Sequence, residues 1–291
     1  DGSFLLPFQE QTRGEELTCF NTAGLLPGTD PELWDEILVI GGHHDHAGIG
    51  GPGSMGFPGQ IHNGADDNAS GSCGVLELAE YFVKHPTKRP ILFMTFSAEE
   101  RGLNGSKAFV ADGPIPVDQI RAMLNLDMIG RSRNGYLFIG GLGTAKEFEK
   151  LLSPRLRASE LDLELAEPGE APSDSMSFFH EGVPVLFFFT HIHDDYHMPG
   201  DDVEKVNFEG AIDILELVRD VAVALNDSDS EITFVNERGM AMPQDFNQRM
   251  AQHYRRINEL QQKRGRLGFT PGQPAGGGLE VARVRSGSAA H

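Results

Sequence analysis

Seven residues, 183–189 (VPVLFFF), contain no polar side chain. So short and apolar a run reads as a strand buried on both faces, and a sheet lying between two layers of helix buries it that way. The rest of the chain supplies the partners. Residues 37–40, 90–96, 122–128 and 136–139 are further apolar runs of strand length. Residues 17–26 alternate loosely and stop before a Pro-Gly-Thr-Asp-Pro turn, which predicts a strand paired with 37–40. Helical spacing recurs between these runs, at Val75, Leu78, Ala79 and Phe82 and again at Ile212, Leu215, Val218 and Val221. Residues 144–160 read as a third amphipathic helix. The alternation predicts an α/β fold of three layers, a mixed and mostly parallel sheet with helices on both faces, with 183–189 near its centre.

A chain of 291 residues is long enough for one full core with appendages. Residues 1–16 are expected to be an N-terminal extension and 17–228 the α/β domain. Residues 229–265 form a connecting segment, in which 244–264 is predicted as a surface helix with Phe246, Met250, Tyr254 and Ile257 along one side. Residues 266–291 are rich in glycine. The formal net charge is −19, from 43 acidic and 24 basic residues, and such a field repels phosphate backbones, so no nucleic-acid partner is expected. No apolar run approaches the ~20 residues needed to span a bilayer. The chain begins at Asp1 without methionine, and its natural start is expected to lie upstream. Cys19 and Cys73 form no CxxC pattern, so thiolate zinc sites are not expected; buried thiols or one disulfide both fit.

Five short segments carry candidate chemistry: GGHHDH ending at His46, GADDNASG around Asp67, SAEE ending at Glu100, NLD ending at Asp127, and DDYH ending at His197. Four of them follow a predicted strand, and the crevice beyond the carboxyl ends of strands is where open α/β sheets bind ligands. Singly each has a plain reading. Glu99-Glu100 is the pattern of a solvated face, a lone histidine near a strand end is usually structural, and Asp-Asp-Asn caps helices. Together they supply imidazole and carboxylate without thiolate, which suits zinc or a related divalent ion, and a carboxylate can bridge two such ions. Two cations ~3.5–4 Å apart can acidify a shared water and polarise a carbonyl, and a carboxylate beside a ligand can move the proton. Adjacent Glu99 and Glu100 offer those two roles. Asp45, two residues after His43, is placed to accept its other ring N–H.

With GGHHDH, NGADDNASG, FMTFSAEERGLNGS, LNLDMIGR, SDSMSFFHEGVPVLFFFT and DYHMPGDDVEKVN, residues 17–225 resemble the co-catalytic di-zinc aminopeptidases, the family of bacterial leucyl aminopeptidases and glutamate carboxypeptidase (peptidase clan MH). The resemblance implies a zinc-exopeptidase fold, two zinc ions per chain and peptide substrates cut from the amino end. It implies that Asp67 bridges the metals, that Glu100 and His197 hold one, and that His43 and Asp127 hold the other. Glu99 would be the general base acting on a bridging water, Asp45 the partner of His43, and Tyr196 a hydrogen-bond donor to the tetrahedral intermediate. A cis peptide after Asp67 and export to the periplasm or beyond are implied as well.

Three departures stand out. Ser175 replaces the histidine that often follows the Ser173-Asp174 pair, which touches a substrate contact and not a ligand. His44, His46, His62, His191 and His193 match no ligand position and are expected to be loop or supporting residues. The tail from Arg266 resembles the opening strands of a PDZ domain, too short to be complete. Related two-zinc deacylases and carboxypeptidases insert a lid between the later ligands, for which the stretch from Asp127 to His197 leaves no room. Two more relatives share the fold, a glutaminyl cyclase with a single zinc and non-catalytic receptor or scaffold domains that have lost ligands. Here every ligand position holds a competent residue, which weighs against a non-catalytic role.

Overall fold

The computed structural model describes residues 3–12, 15–50, 54, 55, 57, 59–266, 269–271 and 281–284. In chain order the strands are β1 (Ser3–Thr12), β2 (Glu15–Leu26), β3 (Ile37–His43), the short pair β4 (Gly48–Ile49) and β5 (Ile61–His62), β6 (Ile91–Phe96), β7 (Ile120–Asp127), β8 (Tyr136–Gly140), β9 (Asp162–Leu165), β10 (Val185–Phe189), β11 (Phe269–Pro271) and β12 (Val281–Val284). The helices are α1 (Gly71–Lys84), α2 (Asn104–Asp112), α3 (Phe148–Ala158), α4 (Ser175–His180), α5 (Phe208–Asn226) and α6 (Phe246–Arg266).

Eight strands form one sheet in the order β1-β2-β6-β3-β7-β10-β8-β9. The inner run β6-β3-β7-β10 is parallel. Antiparallel pairings bring β2 to β6 and β8 to β10. The fold is therefore the expected mixed, mostly parallel α/β sheet, with β10 in its interior. One pairing differs. Residues 17–26 do not pair with β3; Thr22 to Leu26 run antiparallel to β6, from Thr95 to Ile91. The cause lies in β3, which is buried at all of its positions and takes a parallel neighbour on each edge. The α1 crossover returns the chain beside β3 as β6, and β2 is left the next place out. Residues 3–12, expected to be an extension, pair with β2 as the edge strand.

Side chains alternate across each strand, so the sheet has two apolar faces. On one, Leu38, Ile40, Leu124 and Phe188 pack against Val75, Leu78 and Phe82 of α1 and Ile214, Val218 and Val221 of α5. On the other, Val39, Met94, Phe96 and Met123 meet Phe109 of α2 and Phe178 of α4. A third cluster, with Phe187, Phe189 and Ile192, lies under Met242, Phe246 and Met250, so the later helix covers the end of β10. Among the described residues no helix is long and apolar enough to cross a membrane. Cys73, on α1, is an exposed free thiol. The PDZ-like start expected at 266–291 lies mostly outside the described residues, which hold only the antiparallel β11–β12 pair of it.

Candidate metal centre

β3 diverges from its two neighbours in sequence order, to β6 on one side and β7 on the other, so a crevice opens beyond the carboxyl ends of these strands. His43 is the last residue of β3 and Asp127 the last of β7; Glu99 and Glu100 follow β6. The loop after β10 delivers Tyr196 and His197. Asp67 comes from the helical turn Ala65–Ser70 that leads into α1. All of the residues implied as ligands, with Glu99 and Tyr196, line one cavity, and Phe187, Phe189, Ile192, Met242 and Phe246 form its apolar wall.

Asp67 stands at the middle. Its Oδ1 is 3.4 Å from His43 Nε2, and its Oδ2 is 3.1 Å from His197 Nε2. On the first side, His43 Nε2 also lies 3.6 Å from Asp127 Oδ1 and 4.0 Å from Glu99 Oε2. On the second, His197 Nε2 lies 3.2 Å from Glu100 Oε2. One carboxylate thus faces two separate sets of donors.

The local structure that holds these groups follows from hydrogen bonding. The peptide Asp67–Asn68 is cis. Asn68 donates its side-chain N–H to Leu126 O and accepts from the N–H groups of Gly71 and Met128, which ties the turn to the end of β7. A Cβ at Gly71 would come within 2.4 Å of Leu126 O, so the start of α1 approaches β7 this closely only with glycine there. Buried Asp201 accepts the N–H groups of both Asp66 and Asp67 through one oxygen. Its other oxygen meets Arg131 at 3.1 Å.

Asp45 differs from expectation in detail. Its backbone carbonyl, 3.0 Å from His43 Nδ1, takes the ring hydrogen bond, and its carboxylate is 3.8 Å away. The carboxylate instead accepts the Glu99 N–H at 3.0 Å. Either way Nδ1 of His43 carries the hydrogen and Nε2 presents a lone pair to the site. The extra histidines have other partners. His191 meets Asp245 at 2.9 Å, and His193 lies 3.3 Å from Asp66. His44 is exposed, and His62 Nδ1 faces the Gln60 carbonyl. His46, in contrast, reaches Glu100 at 2.7 Å.

The electrostatics are those of a crowded acidic pocket. Burial opposes ionisation of Asp67, yet His197 and His43 outweigh it and bring its pKa down to about 2. Burial, with Asp174, Asp127 and Glu100 nearby, pushes Glu99 well above the usual carboxylate range although His43 opposes it. Burial opposes the charged form of His43, but Glu99, Asp127 and Asp67 together raise it well above its ordinary value. Burial and the same carboxylates keep the Tyr196 phenol protonated. Asp127 Oδ1 is buried without a hydrogen-bond partner. A buried carboxylate oxygen in that position, among four acidic side chains, calls for a cation. Two groups of donors lie within 4.8 Å, His43 with Glu99 and Asp127, and His46 with Asp67 and Glu100. The donor set, nitrogen and oxygen without sulfur, fits a divalent metal of zinc character.

The model for Peptidase family M28 matches residues 21–222, well over half of the chain. The chain belongs to peptidase family M28. Among similar proteins, the probable leucine aminopeptidase 2 of Aspergillus oryzae is 24% identical over 238 residues, 72% of this chain and 45% of that protein. The solved aminopeptidase from Aneurinibacillus sp. strain AM-1 is 26% identical with a TM-score of 0.58, over 80% of this chain and 52% of that one. The zinc aminopeptidase of Bacillus subtilis shares the fold, with a TM-score of 0.60 at 24% identity, over 76% of this chain and 54% of that one. The M28 chain described here therefore spans about half the length of these relatives. The matched segment ends before Met242 and Phe246, so this part of the cavity wall lies outside it.

Proposed function

We propose that this chain is a zinc-dependent exopeptidase that removes residues from the amino end of peptides, with two zinc ions on either side of Asp67. The position of that carboxylate, one oxygen toward His43 and the other toward His197, carries the reading. His43 and Asp127 would hold one ion, Glu100 and His197 the other, with Asp67 shared. Zinc bound there supplies Lewis acidity, acidifying water and polarising a carbonyl oxygen. The names of the relatives, leucine aminopeptidase and zinc aminopeptidase, support the same chemistry.

Glu99 would take a proton from the attacking water and deliver it to the leaving amine, serving first as base and then as acid. Its backbone N–H is held by Asp45, so the carboxylate keeps a defined place beside His43. Tyr196, kept neutral, is a hydrogen-bond donor for the developing oxyanion. Residues 17–228 would form the catalytic domain, and 229–265 would add the wall made by Met242 and Phe246. Export to the periplasm or beyond belongs to the same proposal.

Metal analysis paired with peptide digestion tests it. Two zinc ions per chain, hydrolysis of aminoacyl-nitroanilides, stepwise loss of N-terminal residues and no cleavage of N-acetylated peptides are expected. One tightly bound zinc per chain would sink the two-metal centre and favour a cyclase-like reading. Release from the carboxyl end would overturn the aminopeptidase assignment.

A further inference from the structure

His46 lies on the loop after β3, with its side chain 8% exposed. Its Nδ1 is 2.7 Å from Glu100 Oε1 and 3.8 Å from Asp67 Oδ2. An ionised carboxylate only accepts, so Nδ1 carries the hydrogen and donates it to Glu100. The tautomer follows from this. Nε2 keeps the lone pair, and it is buried without a hydrogen-bond partner.

Two roles compete for this imidazole. As a ligand, Nδ1 would share an ion with Glu100 and Asp67. Donors ~2.0–2.1 Å from a tetrahedral zinc stand roughly 3.3 Å apart. His197 Nε2 meets that spacing, at 3.1 Å from Asp67 Oδ2 and 3.2 Å from Glu100 Oε2. The His46 contact is shorter, at 2.7 Å, and has the length of a charge-assisted hydrogen bond. Glu100 then divides its oxygens, Oε1 toward His46 and Oε2 toward His197.

The surroundings fit this use. Gly64 has φ 64°, and a Cβ there would come within 2.4 Å of Asp67 O and 2.7 Å of His46 Cγ. Glycine thus lets the imidazole press against the turn that carries Asp67. The ring also meets that of His197 edge-on, with centroids 5.5 Å apart.

We propose that His46 is a positioning residue, which holds Glu100 by Oε1 so that Oε2 alone faces the metal beside His197 and Asp67. The inference rests on the two-zinc reading of the centre. It is tested on the full chain with His46→Ala, His46→Asn and His46→Gln, each titrated for zinc against a competing chelator and loaded with cobalt for its visible spectrum. Asn places an N–H near the position of Nδ1, whereas Gln carries it further out. His46→Ala is expected to weaken one of two sites by about 10–100-fold, the range for groups that orient a ligand. His46→Asn should restore most of that affinity and a wild-type-like cobalt spectrum, and His46→Gln should not. Unchanged affinity in His46→Ala overturns the proposal. Stoichiometric metal loss in both Ala and Asn variants, with circular dichroism unaltered, also overturns it and makes His46 a ligand. If the Ala variant fails to fold, the order of Asn and Gln decides in the same way. A wild-type chain that takes up no zinc overturns the two-metal reading itself.

Discussion

Asp201 Oδ2 accepts the backbone N–H of Asp67 at 3.0 Å. The same oxygen takes the N–H of Asp66, and Oδ1 faces Arg131, all with Asp201 fully buried. Removing this buried, paired carboxylate leaves two amides without an acceptor and Arg131 with Asp195 as its remaining acidic partner. Asp201→Ala is expected to lower stability by about 3–5 kcal/mol in urea unfolding. Asp201→Asn keeps an acceptor for the amides and should lose less. Equal stability of the Ala variant would show that Asp201 does not hold the turn.

Glu99→Gln retains the shape of the side chain but cannot accept a proton. Zinc content should stay at the wild-type value while kcat falls by about 10²–10⁴-fold, the usual worth of a positioned acid–base group. Metal analysis and steady-state kinetics on one preparation check both halves. Full activity would mean that another group is the base.

Chelation should destabilise the fold. Asp67, Glu99, Glu100 and Asp127 share one cavity, and their mutual repulsion is relieved by a cation. A ligand at a thousandfold excess over its Kd contributes about 4 kcal/mol. Thermal scans with and without a chelator should show a lower Tm in the metal-free protein, restored by added zinc.

Asp174, fully buried next to the site, has its carboxyl pushed up to about 7, first by burial and then by Asp127 and Asp45, with His43 opposing. The Ser106 hydroxyl beside it opposes the shift as well, without outweighing burial. The folded state of the metal-free protein therefore binds this proton more tightly than the unfolded chain does. Its stabilising contribution is complete below the ordinary carboxylate pKa and is lost as pH rises through about 7. Stability of the metal-free protein should fall between about pH 4 and 7, and Asp174→Asn should flatten that slope in denaturant titrations.

His253 of α6 donates to the backbone carbonyl of Tyr196 at 2.8 Å, the residue proposed to bind the oxyanion. Loss of one such hydrogen bond corresponds to about 3–10-fold in rate. His253→Ala should lower kcat by that factor with unchanged zinc content. An effect on KM alone would place the role of α6 in substrate binding instead.

Much of this architecture is legible from residue order. The period of 2 in the strands and 3.6 in α1 and α5 is set by local geometry, and the apolar run 183–189 requires cover on two faces. The short polar segments that hold His43, Asp67, Glu99, Glu100, Asp127 and His197 are likewise legible as runs at or after the ends of apolar stretches, while the role of each is what the family resemblance implies. The β2 pairing is not legible in this way. Hydrogen bonds between strands join backbones that any apolar sequence supplies, so β6 displaces β2 from β3 without a change in either pattern.

Supporting residues are the least visible in sequence. Asp201 and Asn68 look like ordinary turn residues, and their partners, Asp67 and Leu126, are distant along the chain. His46 is one histidine among several until Glu100 arrives beside it. Phe246, which with Met242 forms part of the apolar wall, belongs to the segment 244–264, whose helical period predicts a surface helix and not a place beside the site. Residue types grouped in these segments point to the chemistry proposed above, because ligation and proton transfer need particular functional groups. Which oxygen faces which nitrogen depends on the approach of segments far apart in the chain, and only packing of the folded molecule settles that.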